Sequence, residues 1–431
     1  MTIKEIKTEY RRLFRWHGHN AAENIKAQDA QNAHDFLLQS LSYIDFVLDD
    51  IDEIFDLIDA FLEMNDTAAL RILLDAGFPI NTVNSRFETV FTKDYTRFYE
   101  KLDFIKLAKS YGADFSLTTS RNHNLYSIAL DKGFPDNKKS NSQEIFAYLL
   151  SLPEAAVQIY APFGDDKVTA GGVDGKMLFH IAVLREKRAE AEMLLNAGFA
   201  VDTPYTYKKY SSALRRDLYI TQNALHIACL RESVDMVAFL LKNGADANQP
   251  NSDGAYPLHL AAQSENRSGK VPANARAEIF NLLIQHGADI EAKYYGQTVL
   301  YCALRGRAND YYGRGFHHSS APKLIELGAN IHTTDDCGTA IIHLSAQSGD
   351  FEWFRTCVKS GADINLKNPQ GETPLLIACA SGKNTDKIIT ALIRAGADLT
   401  ASNQKGETAV DLLTKKGNAA MLEILLRHMP T

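Results

Sequence analysis

Cysteine, tryptophan and long apolar runs are scarce in this chain, and each scarcity excludes something. Its five cysteines, Cys229, Cys302, Cys337, Cys357 and Cys379, are odd in number and follow no paired spacing. No disulfide framework is therefore expected, and reduced thiols in a cytoplasmic setting fit best, either the cell's own cytosol or that of a host or target cell. No apolar stretch approaches the ~20 residues a membrane helix needs. The opening MTIKEIKTEYRRLFRWHGHN has no apolar segment after its charges, so no secretory signal is expected. Basic charge is not in excess either. Against 53 Asp and Glu stand 46 Lys and Arg, net −7, which argues against the basic footprint of a nucleic-acid binder. Phosphate-cradling glycine loops, H-E-x-x-H and G-x-S-x-G are all missing. No cysteine precedes Cys229, which excludes a thiol hydrolase in the first half.

What is present is repetition. Within Gln370 to Thr400, QGETPLLIACASGKNTDKIITALIRAGADLT, Thr373 suits a helix N-cap and Pro374 its first turn. Apolar Leu375, Leu376 and Ile377 follow, then a turn at Gly382, then Ile388, Ile389, Leu392 and Ile393. Gly396 stands where a helix ends left-handed, which glycine does without steric cost. The unit reads helix, turn, helix, extended tail. Gly-Ala-Asp or a variant recurs at Gly77, Gly112, Gly198, Gly244, Gly287, Gly328, Gly361 and Gly396. Its helix-opening partner recurs around His180, His226, His259 and His343. This pattern resembles the ankyrin repeat, a roughly 33-residue unit carrying T-P-L-H-x-A. The likeness runs from about Asn65 to Leu426, sharp from Gly175 onward and eroded before it. It implies an all-α solenoid of helix-turn-helix units, with short β-hairpin fingers and helical caps, curved over about nine or ten repeats. It also implies a non-catalytic protein-binding scaffold, with no cofactor.

Three regions follow. Residues 1–64 lack the repeat and read as a helical N-terminal cap, with helices expected over Ile3–Trp16 and His34–Leu48. Asp45 to Asp59 holds seven acids and no base; a solvated cap face is favoured over an acidic docking face. Residues 65–172 read as degenerate repeats, with second helices at Ala68–Ala76 and Asp103–Tyr111 and a further pair at Asn124–Leu130 and Glu144–Leu152. Tyr160 to Asp174, with Pro162, Gly164, Gly171 and Gly172, reads as a loop and hinge. Residues 173–431 are the clear array, closed by a C-terminal cap over Gly406–Leu426.

The array is unevenly spaced, and its extra residues must leave the stack as loops, often on the binding face. Thr203 to Thr221 falls at a finger and carries Tyr205, Tyr207, Lys208, Lys209, Tyr210, Arg215, Arg216 and Tyr219. Arg305 to Ser320 falls between two helices and carries Arg305, Arg307, Tyr311, Tyr312, Arg314 and Phe316. A third insertion, Glu265 to Arg276, lies at that same edge. Tyrosine and arginine dominate interface hot spots, so these residues are the candidate partner-binding set, for a protein with an acidic surface. Alternatively, the tyrosines tie their loops back onto the solenoid. Single-stranded nucleic acid suits the same chemistry, but the insertions lie on opposite edges and the chain is acidic. The repeated histidines occupy equivalent positions spread along the array, so they cannot converge on one metal ion, and a structural role is expected. His17, His19, His317 and His318 read as loop histidines. No catalytic or metal site is assigned. Long insertions on divergent repeats suit a binder dedicated to one partner, such as a bacterial effector or a toxin-neutralising immunity protein. The alternative from another class is an enzyme or pseudo-enzyme housed in the divergent N-terminal region.

Overall fold

A computed structural model describes residues 2–13, 27–44, 51–84, 88–92, 101–118, 124–131, 142–158, 177–211, 216–262, 274–305, 321–381 and 385–429. The chain divides into two units, one of residues 1–200 with 205–208 and one of 201–204 with 209–431.

The first unit opens with α1 (Ile3–Leu13), α2 (Ala27–Ser40) and α3 (Ile51–Glu63). α1 packs on both α2 and α3. Its buried residues Ile3, Ile6 and Tyr10 recur at helical intervals and supply the contact. α2 begins and ends earlier than the expected His34–Leu48. The Ser40 hydroxyl bonds back to the Phe36 carbonyl at 2.8 Å, a loosening contact, and a 3-10 turn over Leu41–Tyr43 follows. α4 (Thr67–Asp75) joins this group against α2 and α3. Asp66 caps α4 through the Ala69 N–H and also binds the Tyr10 hydroxyl and His34 Nε2, so one buried carboxylate ties three helices together.

Next come α5 (Leu102–Ser110), α6 (Leu125–Asp131), α7 (Ser142–Leu150), α8 (Ala155–Gln158), α9 (Leu178–Leu184) and α10 (Arg188–Asn196). α4 and α5 match the expected second helices within a residue and pack together. α6 pairs with α7 and α9 with α10, while α6 lies on α9 and α7 on α10. First helices thus stack on first helices and second on second, the arrangement of a repeat array. The start of α6 keeps a reciprocal cap: the Ser127 N–H donates to Asn124 Oδ1 and the Asn124 N–H to Ser127 Oγ.

β1 (Tyr205–Ser211) and β2 (Arg216–Gln222) form a two-stranded sheet, β2 belonging to the second unit. The second unit continues with α11 (Ala224–Leu230), α12 (Val234–Lys242), α13 (Pro257–Ala262) and α14 (Ala275–Gln285). A short finger, β3 (Lys293–Tyr294) with β4 (Gln297–Thr298), precedes α15 (Val299–Arg305) and α16 (Ala321–Glu326). α17 (Ile341–Ser348), α18 (Phe351–Lys359), α19 (Pro374–Ala380), α20 (Asp386–Arg394), α21 (Ala409–Lys416) and α22 (Ala419–His428) complete it. The first helices α11, α13, α15, α17, α19 and α21 form one continuous stack. Leu225, Leu258, Leu300, Ile342 and Leu375, at equivalent positions in successive first helices, are buried in it. Thr373 caps α19 through the Leu376 N–H with Pro374 in the first turn, and Gly396 ends α20 at φ +84°. Cys229, Cys302, Cys357 and Cys379 are buried, and only Cys337 is exposed among the five. Burial pushes the Cys357 and Cys379 thiols up to about 12. These thiols are packing groups, poor nucleophiles at neutral pH.

The fingers between repeats rest on one another. Gly338, at φ +74°, has the Pro369 ring of the next finger so close that an added Cβ would lie 2.7 Å from Pro369 Cγ.

Candidate partner-binding surface

The insertion expected to be a finger does form paired strands, and its tyrosines divide into two kinds. Tyr205, at the base of β1, is only 5% exposed. Its ring lies 4.5 Å from that of His180 and stacks on Tyr207 at 5.8 Å and 29°. Tyr205 therefore braces the finger, and Tyr207 is half-buried beside it. On β2, by contrast, Tyr219 is 69% exposed. Lys208, Lys209 and Tyr210 continue β1 and Arg216 opens β2. The far end of β2 is fastened to the next turn, where the Thr221 N–H donates to Ser252 Oγ at 2.8 Å and the Ser252 N–H to the Thr221 carbonyl at 2.9 Å.

Arg305 is the last residue of α15. Arg215, Arg307, Tyr311, Tyr312, Arg314 and Phe316 lie outside the described residues, as do Lys138, Lys139, His17, His19, His317, His318 and the segment 160–174.

A second exposed tyrosine was not singled out from sequence. Tyr294 and Tyr295 both donate to Asp253, to Oδ2 at 2.8 Å and to Oδ1 at 2.9 Å. Tyr294 is buried, whereas Tyr295, at φ +48°, is 63% exposed. The Tyr-Tyr-Gly run at the tip of a repeat is the signal that could have found it, since a hairpin must turn one of two adjacent tyrosines outward. Asp253 directly follows Ser252, so the fastened end of β2 leads through that turn to the Tyr295 finger.

The repeated histidines are architectural. His180, His226, His259 and His343 are all buried. His343 Nδ1 accepts the Ala340 N–H at 3.1 Å and its Nε2 donates to the Leu366 carbonyl at 2.8 Å, which fixes a neutral tautomer. The His226 ring accepts the Asn223 N–H at 3.2 Å, and His259 Nε2 reaches the Gln297 carbonyl at 3.3 Å. Burial drives the pKa of His226 and of His259 down to about 4, and lowers that of His343. Where the histidine is replaced by Tyr301, the phenol performs the same link by donating to Asp335 Oδ2 at 2.7 Å. His259, His343 and Tyr301 each hold their own helix to an adjoining loop. Among the described residues no group of three or more His, Cys, Asp or Glu could hold a metal ion. Nor, among them, is any helix long and apolar enough to cross a membrane.

Comparison with protein-family models agrees with this geometry. Models for ankyrin repeats match residues 214–261, 253–294 and 312–403. Neurogenic locus notch homolog protein 1 of Xenopus tropicalis is 30% identical over 159 residues, covering 36% of this chain and 6% of that protein. The mouse B-cell lymphoma 3 protein homolog is 26% identical over 234 residues, covering 48% of each. The chain thus spans at most about half the length of these relatives. A crystal structure of the Bcl-3 ankyrin repeat domain is 23% identical, with a TM-score of 0.45 over 59% of this chain and 99% of that one. An ankyrin repeat domain from Acinetobacter baumannii AYE is 24% identical, with a TM-score of 0.39 over 47% and 96%. Residues 214–294 and 312–403 of this chain thus match ankyrin repeats, and the stacked helix pairs follow the same arrangement.

Proposed function

We propose that the chain is a non-catalytic scaffold that binds a dedicated protein partner through its concave face and its Tyr/Arg-rich insertions. The observation that carries the reading is the β1–β2 finger. It is longer than the other fingers among the described residues, is fastened at its base by Tyr205 on β1 and by the Thr221–Ser252 bonds on β2, and holds Tyr219 out to solvent. A braced element displaying an exposed aromatic loses little entropy on binding. Tyr207, Lys208, Lys209, Tyr210, Arg215, Arg216, Arg305, Arg307, Tyr311, Tyr312, Arg314 and Phe316 are the proposed contacts for an acidic region of that partner, with Tyr219 and Tyr295 added. Residues 1–64 cap the array and 65–172 continue it in degenerate form, a reading supported by the stacking of α6 on α9 and α7 on α10. The dedicated insertions favour one partner over many, as in an effector and its target or an immunity protein and its toxin.

The test is affinity capture from cell lysate by the wild type and by a Lys208→Ser, Lys209→Ser, Tyr219→Ser variant, read by mass spectrometry. A stoichiometric protein lost from the variant, with unchanged circular dichroism and Tm, is the expected result. Capture that survives the substitutions refutes the finger as the contact.

A further inference from the structure

Between consecutive repeats of the second unit, on the first-helix side, lies a cleft of about 320 Å³. It is lined by Tyr301 and Asp335, by Leu344 and Gln347 of α17, by Ile377 of α19 and by Glu372. The two carboxylates differ in how they are held. Asp335 is fixed: Oδ2 takes the Tyr301 hydroxyl, and Oδ1 takes the Cys337 and Thr339 N–H groups, both at 2.9 Å. Glu372 is held by one oxygen, with Oε2 accepting from Asn368 Nδ2 at 2.9 Å. Its Oε1 accepts nothing from the described residues. His343, which also lines the cleft, is kept neutral by burial and by the Ala340 N–H that its Nδ1 accepts. Among the described residues no lysine or arginine lines the cleft, so the charge of its described lining is negative.

We propose that this cleft receives an arginine side chain of a protein partner. Half-exposed Leu344 and Ile377 suit the aliphatic stem, which can lie along apolar surface while the charged head reaches polar groups. The head has a planar fork of five donors, and the lining offers Glu372 Oε1 and the Gln347 amide oxygen as acceptors. Guanidinium suits the site better than ammonium because it is more weakly hydrated and loses less on entering a confined space. The preference is opposite in sign to that of the insertions, so the partner carries both acidic and basic contact regions. The inference rests on the protein-binding reading only for the source of the arginine.

The experiment needs no partner. The perdeuterated full chain, with labelled Ile and Leu methyls, is titrated with N-acetyl-arginine N-methylamide and, separately, with its citrulline and lysine counterparts. The arginine probe is expected to shift the Ile377 and Leu344 methyls saturably and leave remote methyls still. The uncharged citrulline probe should not, and the lysine probe should bind more weakly. Glu372→Gln, which keeps an oxygen for Asn368, should weaken arginine binding about tenfold, the usual worth of a hydrogen bond to a charged group. Absence of a saturable shift, equal shifts from citrulline or lysine, or an unaffected Glu372→Gln variant would each overturn the assignment. A silent cleft would leave the lysate capture result standing, and failed capture would leave the cleft titration standing.

Discussion

Lowering the pH should loosen the second unit through its buried histidines, by an amount the structure lets us calculate. Burial penalises the imidazolium form and pushes the folded pKa of His226 and of His259 down to about 4, from an ordinary value of 6.5. Below 6.5 the unfolded chain takes up a proton that the folded chain refuses, so stability falls as pH drops from about 6.5 toward about 4. Above that window the contribution is fully present. Between about pH 7.5 and pH 5 the linkage relation gives a loss of roughly 2 kcal/mol per histidine, or roughly 4 for the pair. Hydrogen exchange is the suitable assay. A repeat array need not open in one step, and exchange reports the opening free energy of α11 and α13 directly. A His226→Gln, His259→Gln variant should be less stable at neutral pH, since it loses the ring contacts to Asn223 and Gln297. Its opening free energy should nevertheless change far less between the two pH values than that of the wild type. If wild type and variant lose the same stability on acidification, the histidines are not the titrating groups and the linkage argument fails.

Three further perturbations test the packing. Leu375→Asp places a carboxylate inside the first-helix stack and should cost about 3 kcal/mol or more, seen as a lower Tm and increased exchange in α17 and α19. Gly338→Ala forces a side chain into a left-handed backbone and onto Pro369, with an expected loss of about 1–3 kcal/mol in urea denaturation. Adding Pro369→Ala should restore part of that loss, and no recovery would refute the finger-on-finger contact. Tyr205→Ala should lower Tm, with a loss of about 2–4 kcal/mol from its emptied site, while Tyr219→Ser should leave Tm in place and weaken partner capture. Equal Tm losses in the two variants would mean that both tyrosines brace.

Much of this architecture is local and therefore readable along the chain. Thr373 and Pro374 open α19 and Gly396 ends α20 because capping and left-handed backbone depend on the residues at those positions. The apolar spacing of Ile388, Ile389, Leu392 and Ile393 follows from the helical period and needs no knowledge of what the helix meets. Even the histidines could be assigned to structure, since residues repeated at one phase cannot converge on one point. The start of α2 was missed because its early residues, AQDAQNA, carry almost no apolar signal.

Tertiary structure decided the rest. Tyr205 and Tyr219 belong to the same insertion and are chemically identical, yet one is buried against His180 and the other faces solvent. Only the packing of the finger distinguishes them. The exposed Tyr295 follows from the Asp253 clamp, and Asp253 lies 42 positions away in the preceding repeat. The cleft is assembled from Tyr301, Asp335, Gln347 and Glu372, which belong to neighbouring repeats and acquire a shared chemistry only when those repeats stack. The sequence by itself determined the repeat, its phase and its caps, because these follow from backbone geometry within one unit. Which side chains brace, which are displayed and which carboxylates converge is decided between units, where distance along the chain ceases to measure distance in space.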